Sequence, residues 1–219
     1  SQGLGRAVAE ELANEGTSLV ICSRNQERID EACKAINERS GADILGVAGD
    51  VSQLADIERI VYRAVERFGQ IDILVTNTGG PPAGSFEVLS RENWRDAVDN
   101  LLFSVVELTR LTLPGMKQRG WGRILNITSI AAKQPVDNLL LSNCLRAGIT
   151  GLAKTLANEV GEYGVTVNNI MPGYTATERV EELTATLAER ERVDASVIRS
   201  RWEAEIPMKR LGKPSEFAA

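Results

Sequence analysis

IERIVYRAVERFGQIDILVTNTGG, residues 57–80, contains a helix, a strand and a glycine turn in succession. In its first half, apolar residues recur every three or four positions, which predicts an amphipathic helix. The apolar run at residues 71–76 is typical of a strand in a sheet that is covered on both faces. Because Gly79 and Gly80 closely follow that strand, a ligand can approach the backbone at its carboxyl end.

The same alternation of strands and helices extends along the chain. Residues 94–118 and 138–162 are predicted to form two longer helices. Strands that alternate with helices form a parallel sheet covered on both faces. We therefore predict a single α/β domain over residues 1–219, with a Rossmann-type doubly wound parallel sheet in three αβα layers. The predicted strands are residues 18–22, 44–47, 71–76, 122–128 and 165–170.

The two ends and one charged stretch carry further expectations. The chain opens directly into a helix, although a βα unit needs a preceding strand to direct that helix. We therefore expect an N-terminal strand before Ser1 and a last strand after Ala219. Residues 178–205 are the most charged stretch, and we expect a helical substrate lid there; a solvated helical pair is the alternative.

Composition argues against several classes of function. The 25 Lys and Arg are interspersed among 30 Asp and Glu, which disfavours nucleic acid or an anionic membrane as the main partner. No apolar run reaches the roughly 20 residues of a membrane span, and no signal-peptide pattern opens the chain, so we expect a cytoplasmic protein. The chain has no histidine, and its 3 cysteines form no C-x-x-C pair, so neither imidazole catalysis nor a metal site is predicted.

Short motifs at the predicted strand ends favour a dinucleotide site. Gly3-Leu4-Gly5 at a helix start leaves backbone N–H groups free to bind a pyrophosphate. Ser23 and Arg24 follow the next strand, where a cation favours the 2′-phosphate of NADP(H) over the free hydroxyl of NAD(H). A solvated arginine at a strand end is the alternative for Arg24.

Residues after two further predicted strands belong to the same expected dinucleotide site. Asp50 and Val51 follow the second predicted strand and are positioned to meet an adenine edge. Asn77 and Thr78 precede the glycines that end the third. Ligands of doubly wound sheets lie across the carboxyl ends of the strands, so these residues are expected in one site.

The order of these motifs resembles the short-chain dehydrogenase/reductase family, and within it the branch of the 3-oxoacyl-acyl-carrier-protein reductases. SQGLG at residues 1–5 is similar to the end of the family's T-G-x-x-x-G-[IL]-G turn, and NTGG at residues 77–80 is similar to its N-N-A-G strand end. NNIMPGYTAT resembles its P-G loop, and IPMKRLGKPSEFA resembles the segment after its lid. The resemblance covers Gly3 to Ala218, and the ordered combination is far more specific than any single motif.

The resemblance implies a cofactor site for NADP(H), with NAD(H) as the second choice. In it, the P-G loop would form the nicotinamide wall, and the two threonines beyond that loop would face the carboxamide. The cofactor-binding residues expected on these grounds are Ser1, Gln2, Gly3, Leu4, Gly5, Ser23, Arg24, Asp50, Val51, Asn77, Thr78, Gly79, Arg146, Pro172, Gly173, Thr175 and Thr177.

The implied catalytic tetrad is half kept and half replaced. Asn100 and Ser129 match its asparagine and serine. Aligning SNCLRAGITGL, residues 142–152, with the family's Y-x-x-x-K-A-G-x-x-G-L puts Ser142 in place of the catalytic tyrosine and Arg146 in place of the lysine. Serine cannot be acidified into the range of a phenol, and arginine keeps its proton. Arg146 can still supply positive charge and bind ribose hydroxyls or a carboxylate as a fork.

Three functions are compatible with this departure. We favour an NADP(H)-dependent oxidoreductase that reduces a ketone or 3-oxoacyl substrate, either a small molecule or an acyl thioester, to the alcohol. There Ser129 and Ser142 would orient the carbonyl, and a water chain or Tyr174 would deliver the proton. The second is a cofactor-binding pseudoenzyme with a regulatory or partner-subunit role. The third is a lyase step on an anionic substrate that Arg146 clamps.

Remaining expectations concern structure more than chemistry. In the family the two long helices build a tetramer, so a homotetramer or homodimer is expected. The mid-helix Asn100 is locally unfavourable and predicts a kink. Asp137 and Asn138 are predicted to cap the following helix. Lys133 is expected to be a solvated loop residue, and Cys144 is expected to pack in the protein.

Overall fold

The computed structural model describes residues 2–219, and each strand in that range is parallel to the strands it pairs with. Strand β1 (Leu19–Ser23) pairs with β2 (Ile44–Ala48). Strands β3 (Ile73–Thr76), β4 (Gly122–Ile127) and β5 (Val165–Ile170) form a separate three-stranded section in that order, and no strand of it pairs with β1 or β2 in the described residues. The predicted runs lie within two residues of these bounds, so the parallel α/β prediction is confirmed.

Helices connect the strands and extend beyond the last one. Helices α1 (Gly3–Asn14), α2 (Gln26–Ser40) and α3 (Leu54–Phe68) alternate with the first three strands. Between β3 and β4 lie α4 (Arg91–Ala97), a π-helical segment (Val98–Phe103) and α5 (Ser104–Arg119). A 3₁₀ turn (Ile130–Ala132) and α6 (Leu140–Val160) follow β4, with a second 3₁₀ turn (Gly161–Tyr163) before β5. Helices α7 (Glu178–Glu191), α8 (Ala195–Glu205) and α9 (Pro214–Ala218) follow β5.

The largest apolar cluster fixes two helices on the three-stranded section. Met116 of α5 and Ala153 of α6 pack with Leu74, Ile124 and Val167 of the strands. Each fully buried side chain of this size contributes roughly 1.5–3 kcal/mol. Close packing also restricts the backbone, because a Cβ at Gly122 would lie 2.6 Å from the side chain of Met116.

The helix predicted over residues 94–118 is three elements in the structure. It begins at Arg91, continues through the π-helical segment and ends at Arg119. Asn100 lies inside the π-helical segment, so the predicted departure from a regular helix is confirmed there. Short π-helical turns of this kind are frequent at functional sites.

The predicted cap of α6 is wrong. Leu139 is the residue before the helix, and no side chain caps it. Asn138 adopts a left-handed conformation (φ 60°), and its carbonyl oxygen accepts a hydrogen bond of 2.6 Å from the Gly84 N–H. Asn143 secures the helix start instead, because its side chain bonds both the N–H and the carbonyl of Val136.

A ladder of polar side chains crosses the three-stranded section near its carboxyl edge. Thr76, Asn126 and Asn169 are register partners on neighbouring strands. The Thr76 hydroxyl donates to Asn126 Oδ1 at 2.9 Å, and Asn126 Nδ2 donates to Asn169 Oδ1 at 3.1 Å. Thr76 and Asn126 are buried, so each needs its partner to offset the loss of water.

Asn126→Leu should therefore lower the free energy of unfolding by about 2 kcal/mol, because it leaves buried polar groups without partners. Urea denaturation measures this change. The control is Asn168→Leu at the neighbouring exposed position, which should stay within about 0.5 kcal/mol of the parent. Equal effects of the two substitutions would contradict a stabilising role for the ladder.

Candidate active site

One cleft of about 1280 Å³ gathers the residues predicted to bind cofactor and substrate. It opens along the carboxyl ends of the strands and extends between β1 and β3. Ser1 lies outside the described residues. The other predicted residues all line the cleft: Gln2, Gly3, Leu4, Gly5, Ser23, Arg24, Asp50, Val51, Asn77, Thr78, Gly79, Asn100, Ser129, Ser142, Arg146, Pro172, Gly173, Thr175 and Thr177.

The start of α1 can accept an anion. Gly3 has a positive φ (58°), and the preceding Gln2 makes no side-chain cap to the helix. The first turn itself has no acidic residue, and in residues 2–219 no side chain caps it, so its N–H groups and the positive end of the helix dipole can bind a phosphate. The Glu178 carboxylate, with Oε2 3.7 Å from the Cβ position of Gly3, is the nearby negative charge. Gly5 packs closely against Asn77, because a Cβ there would lie 2.7 Å from Asn77 Nδ2 and would displace that amide.

Two glycines, Gly79 and Gly173, leave the backbone at the cleft without side chains. A Cβ added at Gly79 or at Gly173 would meet no atom within 4 Å, and both residues line the cleft. Gly79 follows β3 and Gly173 follows β5, so the two exposed stretches of backbone border the same space. The residues present therefore fit a dinucleotide, because the start of α1 could bind phosphate groups and the two glycine loops leave room for a ring.

A second arginine joins Arg24 at the end of β1. Arg28 lies in the first turn of α2, four residues after Arg24, lines the cleft and donates from Nη1 to Gln2 Oε1 at 3.2 Å. Asn25 caps α2 by accepting a hydrogen bond from the Arg28 N–H at 2.9 Å, which orients this turn. Arg28 was not predicted from the sequence, because Arg24 lies before α2 and the helical spacing rule does not relate the two side chains.

The turn after β2 is fixed by carboxylates. Asp50 Oδ1 accepts a hydrogen bond from the Ser52 N–H at 2.9 Å, and the Asp50 N–H donates to Asp56 Oδ2 at 2.7 Å. The latter bond and the neighbouring Arg59 lower the pKa of Asp56. Asp50 and Val51 are thereby held at the edge of the cleft, where an adenine edge was expected.

Ser142 and Arg146 form a buried pair on α6. Each is 8% exposed, and Arg146 Nε donates to Ser142 Oγ at 3.2 Å. Arg146 Nη1 donates to the carbonyl oxygens of Ile127 and Thr128, at 3.1 and 3.0 Å. Two of the three guanidinium nitrogens are therefore already used within the protein. The free fork expected for Arg146 is wrong, because only Nη2 has no hydrogen-bond partner in residues 2–219.

Arg146 keeps its charge in this position. Burial lowers its pKa to about 10, with a smaller contribution from the positive charge of Arg179. At neutral pH the guanidinium remains protonated, and it can stabilise negative charge that develops on a substrate oxygen.

The residues expected to match the asparagine and serine of the tetrad lie near the ends of neighbouring strands, Asn100 through its contact with the loop after β3 and Ser129 directly after β4. Ser129 follows β4 in an extended conformation, and its Oγ accepts a hydrogen bond from the Ala131 N–H at 3.1 Å. Asn100 Nδ2 donates a long hydrogen bond, 3.4 Å, to the Gly79 carbonyl. The π-helical segment thus directs Asn100 toward the loop that follows β3.

Tyr174 packs against helix α8, which belongs to the segment 178–205 that was predicted to be a lid. Its ring stacks on that of Trp202 in α8, with centroids 4.7 Å apart. Burial, and then the negative charge of Glu205, raise the pKa of Tyr174. A proton donor benefits from a lowered pKa, so this environment disfavours the role considered for Tyr174.

Helix α7, in the segment 178–205 that was predicted to be a lid, adds a cleft residue that the sequence did not predict. Arg179, in the first turn of α7, donates from Nη2 to the Pro81 carbonyl at 2.8 Å and lines the cleft. Its guanidinium lies against Gly80, where an added Cβ would be 2.8 Å from Arg179 Nε. Residues 178–205 are helical as predicted, and α7 and α8 pack on each other.

Other side chains lie away from the cleft. Lys133 is exposed, as predicted. Cys144 is also exposed, so its predicted packing role is wrong: it faces outward on α6, between the buried Ser142 and Leu145. Within residues 2–219, no helix is both long and apolar enough to cross a membrane, and no group of acidic and cysteine side chains is arranged to hold a metal.

Comparison with known proteins gives consistent similarities. Residues 1–188 match the short chain dehydrogenase family. The acetoacetyl-CoA reductase of Cupriavidus necator is 32% identical, over 99% of this chain and 84% of that protein. Among solved structures, a variant of actinorhodin polyketide ketoreductase with NADPH is 33% identical with a TM-score of 0.94, over 99% of this chain and 84% of that one. L-sorbose reductase from Gluconobacter frateurii, complexed with NADPH and L-sorbose, is 32% identical with a TM-score of 0.92, over 99% and 83%. These likenesses confirm the Rossmann-type fold.

Proposed function

Because the chain belongs to the short-chain dehydrogenase/reductase family, we propose that it is an NADP(H)-dependent oxidoreductase that interconverts a ketone and an alcohol. The observation that carries the proposal is the cleft at the strand ends. There a free helix start, bare glycine backbone and a buried cation border one space. The NADPH in the two similar structures supports the choice of cofactor.

NADPH bound in the cleft would supply a hydride to the carbonyl carbon, while a proton from water reaches the carbonyl oxygen. The sum is ketone + NADPH + H⁺ giving alcohol + NADP⁺. Reduction at the carbon leaves negative charge on the oxygen, which must be stabilised before it is protonated. A carbonyl-containing small molecule or an acyl thioester is the proposed substrate class.

The chain's own residues divide this work. Arg146 stabilises charge on the oxygen, and the hydroxyls of Ser129 and Ser142 orient the carbonyl. Ser142 passes a proton from water rather than supplying one, since a serine hydroxyl is too weak an acid to be the source. Asn100 and Gly79 hold the loop beside which the ring would lie.

The preference for NADP(H) is tested by calorimetric titration with NADPH and NADH. We expect NADPH to bind more tightly, because Arg24 and Arg28 would bind the 2′-phosphate by charge-assisted hydrogen bonds. Arg24→Gln should weaken NADPH about tenfold or more and leave NADH unchanged. Lys34→Gln, on the outer face of α2, removes an equal charge and should change neither affinity. Absence of binding heat with both dinucleotides would contradict the cofactor assignment.

Turnover is tested by stopped-flow oxidation of NADPH with a panel of carbonyl compounds. Ser142→Tyr should raise kcat/KM about tenfold or more, because it supplies the missing general acid, and general acids contribute 10²–10⁴-fold. Cys144→Tyr places the same side chain two residues away on the exposed face of α6 and should give no gain. A Ser142→Tyr variant that is no faster than the parent would contradict a scaffold that lacks only its acid.

Tyr174→Phe separates the two proposed proton routes. It keeps the stack on Trp202 and removes the phenol, so turnover should stay within about twofold if water is the proton source. A fall of a hundredfold with unchanged NADPH affinity would assign the proton to Tyr174.

A cofactor-binding pseudoenzyme is the second candidate. It is favoured by one observation: the position of the acid holds a serine whose Oγ is bonded to a buried arginine, and the nearby phenol of Tyr174 is stacked on the lid. Tight NADPH binding without turnover on any member of the panel would support this candidate. A homotetramer or homodimer and a cytoplasmic location remain predictions, and sedimentation of the purified chain tests the first.

A further inference from the structure

We propose that the substrate carries a carboxylate close to its reacting carbonyl, and that Arg179 and Arg146 bind it together. This inference rests on the proposed function and narrows its substrate to oxo acids. It departs from a neutral ketone or a neutral thioester, for which the cleft would need only hydroxyl groups near the carbonyl.

The first observation is a buried cation without a carboxylate beside it. Arg146 is 8% exposed, and its protein partners in residues 2–219 are two carbonyl oxygens and one hydroxyl. Such a charge is costly to bury unless an anion or several hydrogen bonds compensate it. The three hydrogen bonds of Arg146 compensate Nε and Nη1, whereas Nη2 has no partner in the described residues. No fully buried side-chain nitrogen in those residues lacks a hydrogen bond, so Nη2 is accessible, and because Arg146 lines the cleft a ligand can supply an acceptor for it.

The second observation is a second cation beside the first. Arg179 borders the same cleft and contacts Gly80 and Pro81 in the loop after β3, whereas Arg146 bonds Thr128 at the end of the paired strand β4, so the two guanidinium groups approach the cleft from neighbouring strand ends. The positive charge of Arg179 also contributes to the lowered pKa of Arg146. Its position is defined by the hydrogen bond to Pro81 and by its contact with Gly80. Two neighbouring cations repel each other, and one bound anion removes that repulsion for both.

The carboxylates near these arginines do not supply that anion. Glu182 Oε2 lies 3.6 Å from Arg179 Nη1, and its side chain is 66% exposed, so the pair is weak and screened by water. Glu178 lies toward Gly3 instead, with Oε2 3.7 Å from the point where a Cβ of Gly3 would be. Asp72 at the far end of the cleft is paired with Arg119. A ligand carboxylate at the Ser142 end of the cleft therefore faces the positive charges of Arg146 and Arg179.

The distance of the carboxylate from the carbonyl follows from the same contacts. Arg146 bonds Ser142, which stands in the position of the catalytic acid, so a group on Arg146 Nη2 lies close to the reacting oxygen. The phosphates of an acyl-coenzyme A are separated from its carbonyl by a long flexible arm and would not meet this pair. The chemistry points to a 2-, 3- or 4-oxo acid of small size.

The test compares matched pairs of substrates with NADPH. The pairs are 2-oxobutanoate, acetoacetate and levulinate, each beside its methyl ester, with acetoacetyl-coenzyme A and the neutral N-acetylcysteamine thioester of acetoacetate as further arms. For at least one pair, kcat/KM of the acid should exceed that of its ester at least about tenfold, as charge-assisted hydrogen bonds imply.

Arg179→Gln should reduce that ratio to about one, mainly through KM of the acid, and Arg179→Lys should restore part of it. Arg190→Gln, on the same helix away from the cleft, is the matched control and should change neither rate.

A binding measurement keeps the inference independent of turnover. Calorimetric titration of the NADP⁺-bound protein with acid and ester should give heat with the acid alone, and this heat should be lost in Arg179→Gln. If esters or neutral thioesters bind and react as well as the acids, the inference is overturned while the oxidoreductase function stands. If nothing is reduced but the acid binds through Arg179, the proposed function fails and the carboxylate site stands. If Arg179→Gln weakens NADPH itself by the same factor, Arg179 binds the cofactor phosphates and the inference is overturned.

Discussion

Two hydrogen bonds from one buried guanidinium join helix α6 to the end of strand β4. Arg146 Nη1 donates to the carbonyl oxygens of Ile127 and Thr128, the last residue of the strand and the residue after it. Ser129 is the next residue, and Ser142 lies one turn before Arg146 on the helix. This contact therefore sets the separation of the two hydroxyls that face the cleft. The charge is tolerated in the interior because three of its hydrogen bonds are made within the protein.

The parallel sheet brings the remaining parts of the site to the same edge. Every strand in residues 2–219 points the same way as its partners, so the loops after β1, β3, β4 and β5 meet around one cleft. The side-chain ladder through Thr76, Asn126 and Asn169 keeps three of those strands in register close to the edge. Because Gly79 and Gly173 have no side chains, the backbone at these two positions leaves room for a flat ring. Architecture supplies the position of the site, and a few side chains supply its chemistry.

The sequence predicted most of this arrangement, because the informative signals were local. Apolar runs and glycines at strand ends depend on neighbouring residues, and the strands were found within two residues of their bounds. Features that depend on contacts between residues far apart in the sequence were not predicted. Arg179 acquires its place through a carbonyl 98 positions earlier in the chain, at Pro81, and no local pattern contains that contact. The cap of α6 failed for a related reason, since the Asn138 backbone is used by the distant Gly84.

The resemblance places Ser142 and Arg146 where the family has a phenol and an ammonium, and we propose that these two differences act as one change. An ammonium is a compact charge that can act at a distance on a neighbouring phenol, whereas a planar guanidinium needs several acceptors in fixed directions. Here the acceptors are two carbonyls and the Ser142 hydroxyl, and the small serine leaves room for the guanidinium beside it. The site thus gives up an acid and gains an oriented positive charge. Such an exchange favours substrates that bring an anion of their own, because their binding energy compensates a cation that the rest of the protein leaves without a carboxylate.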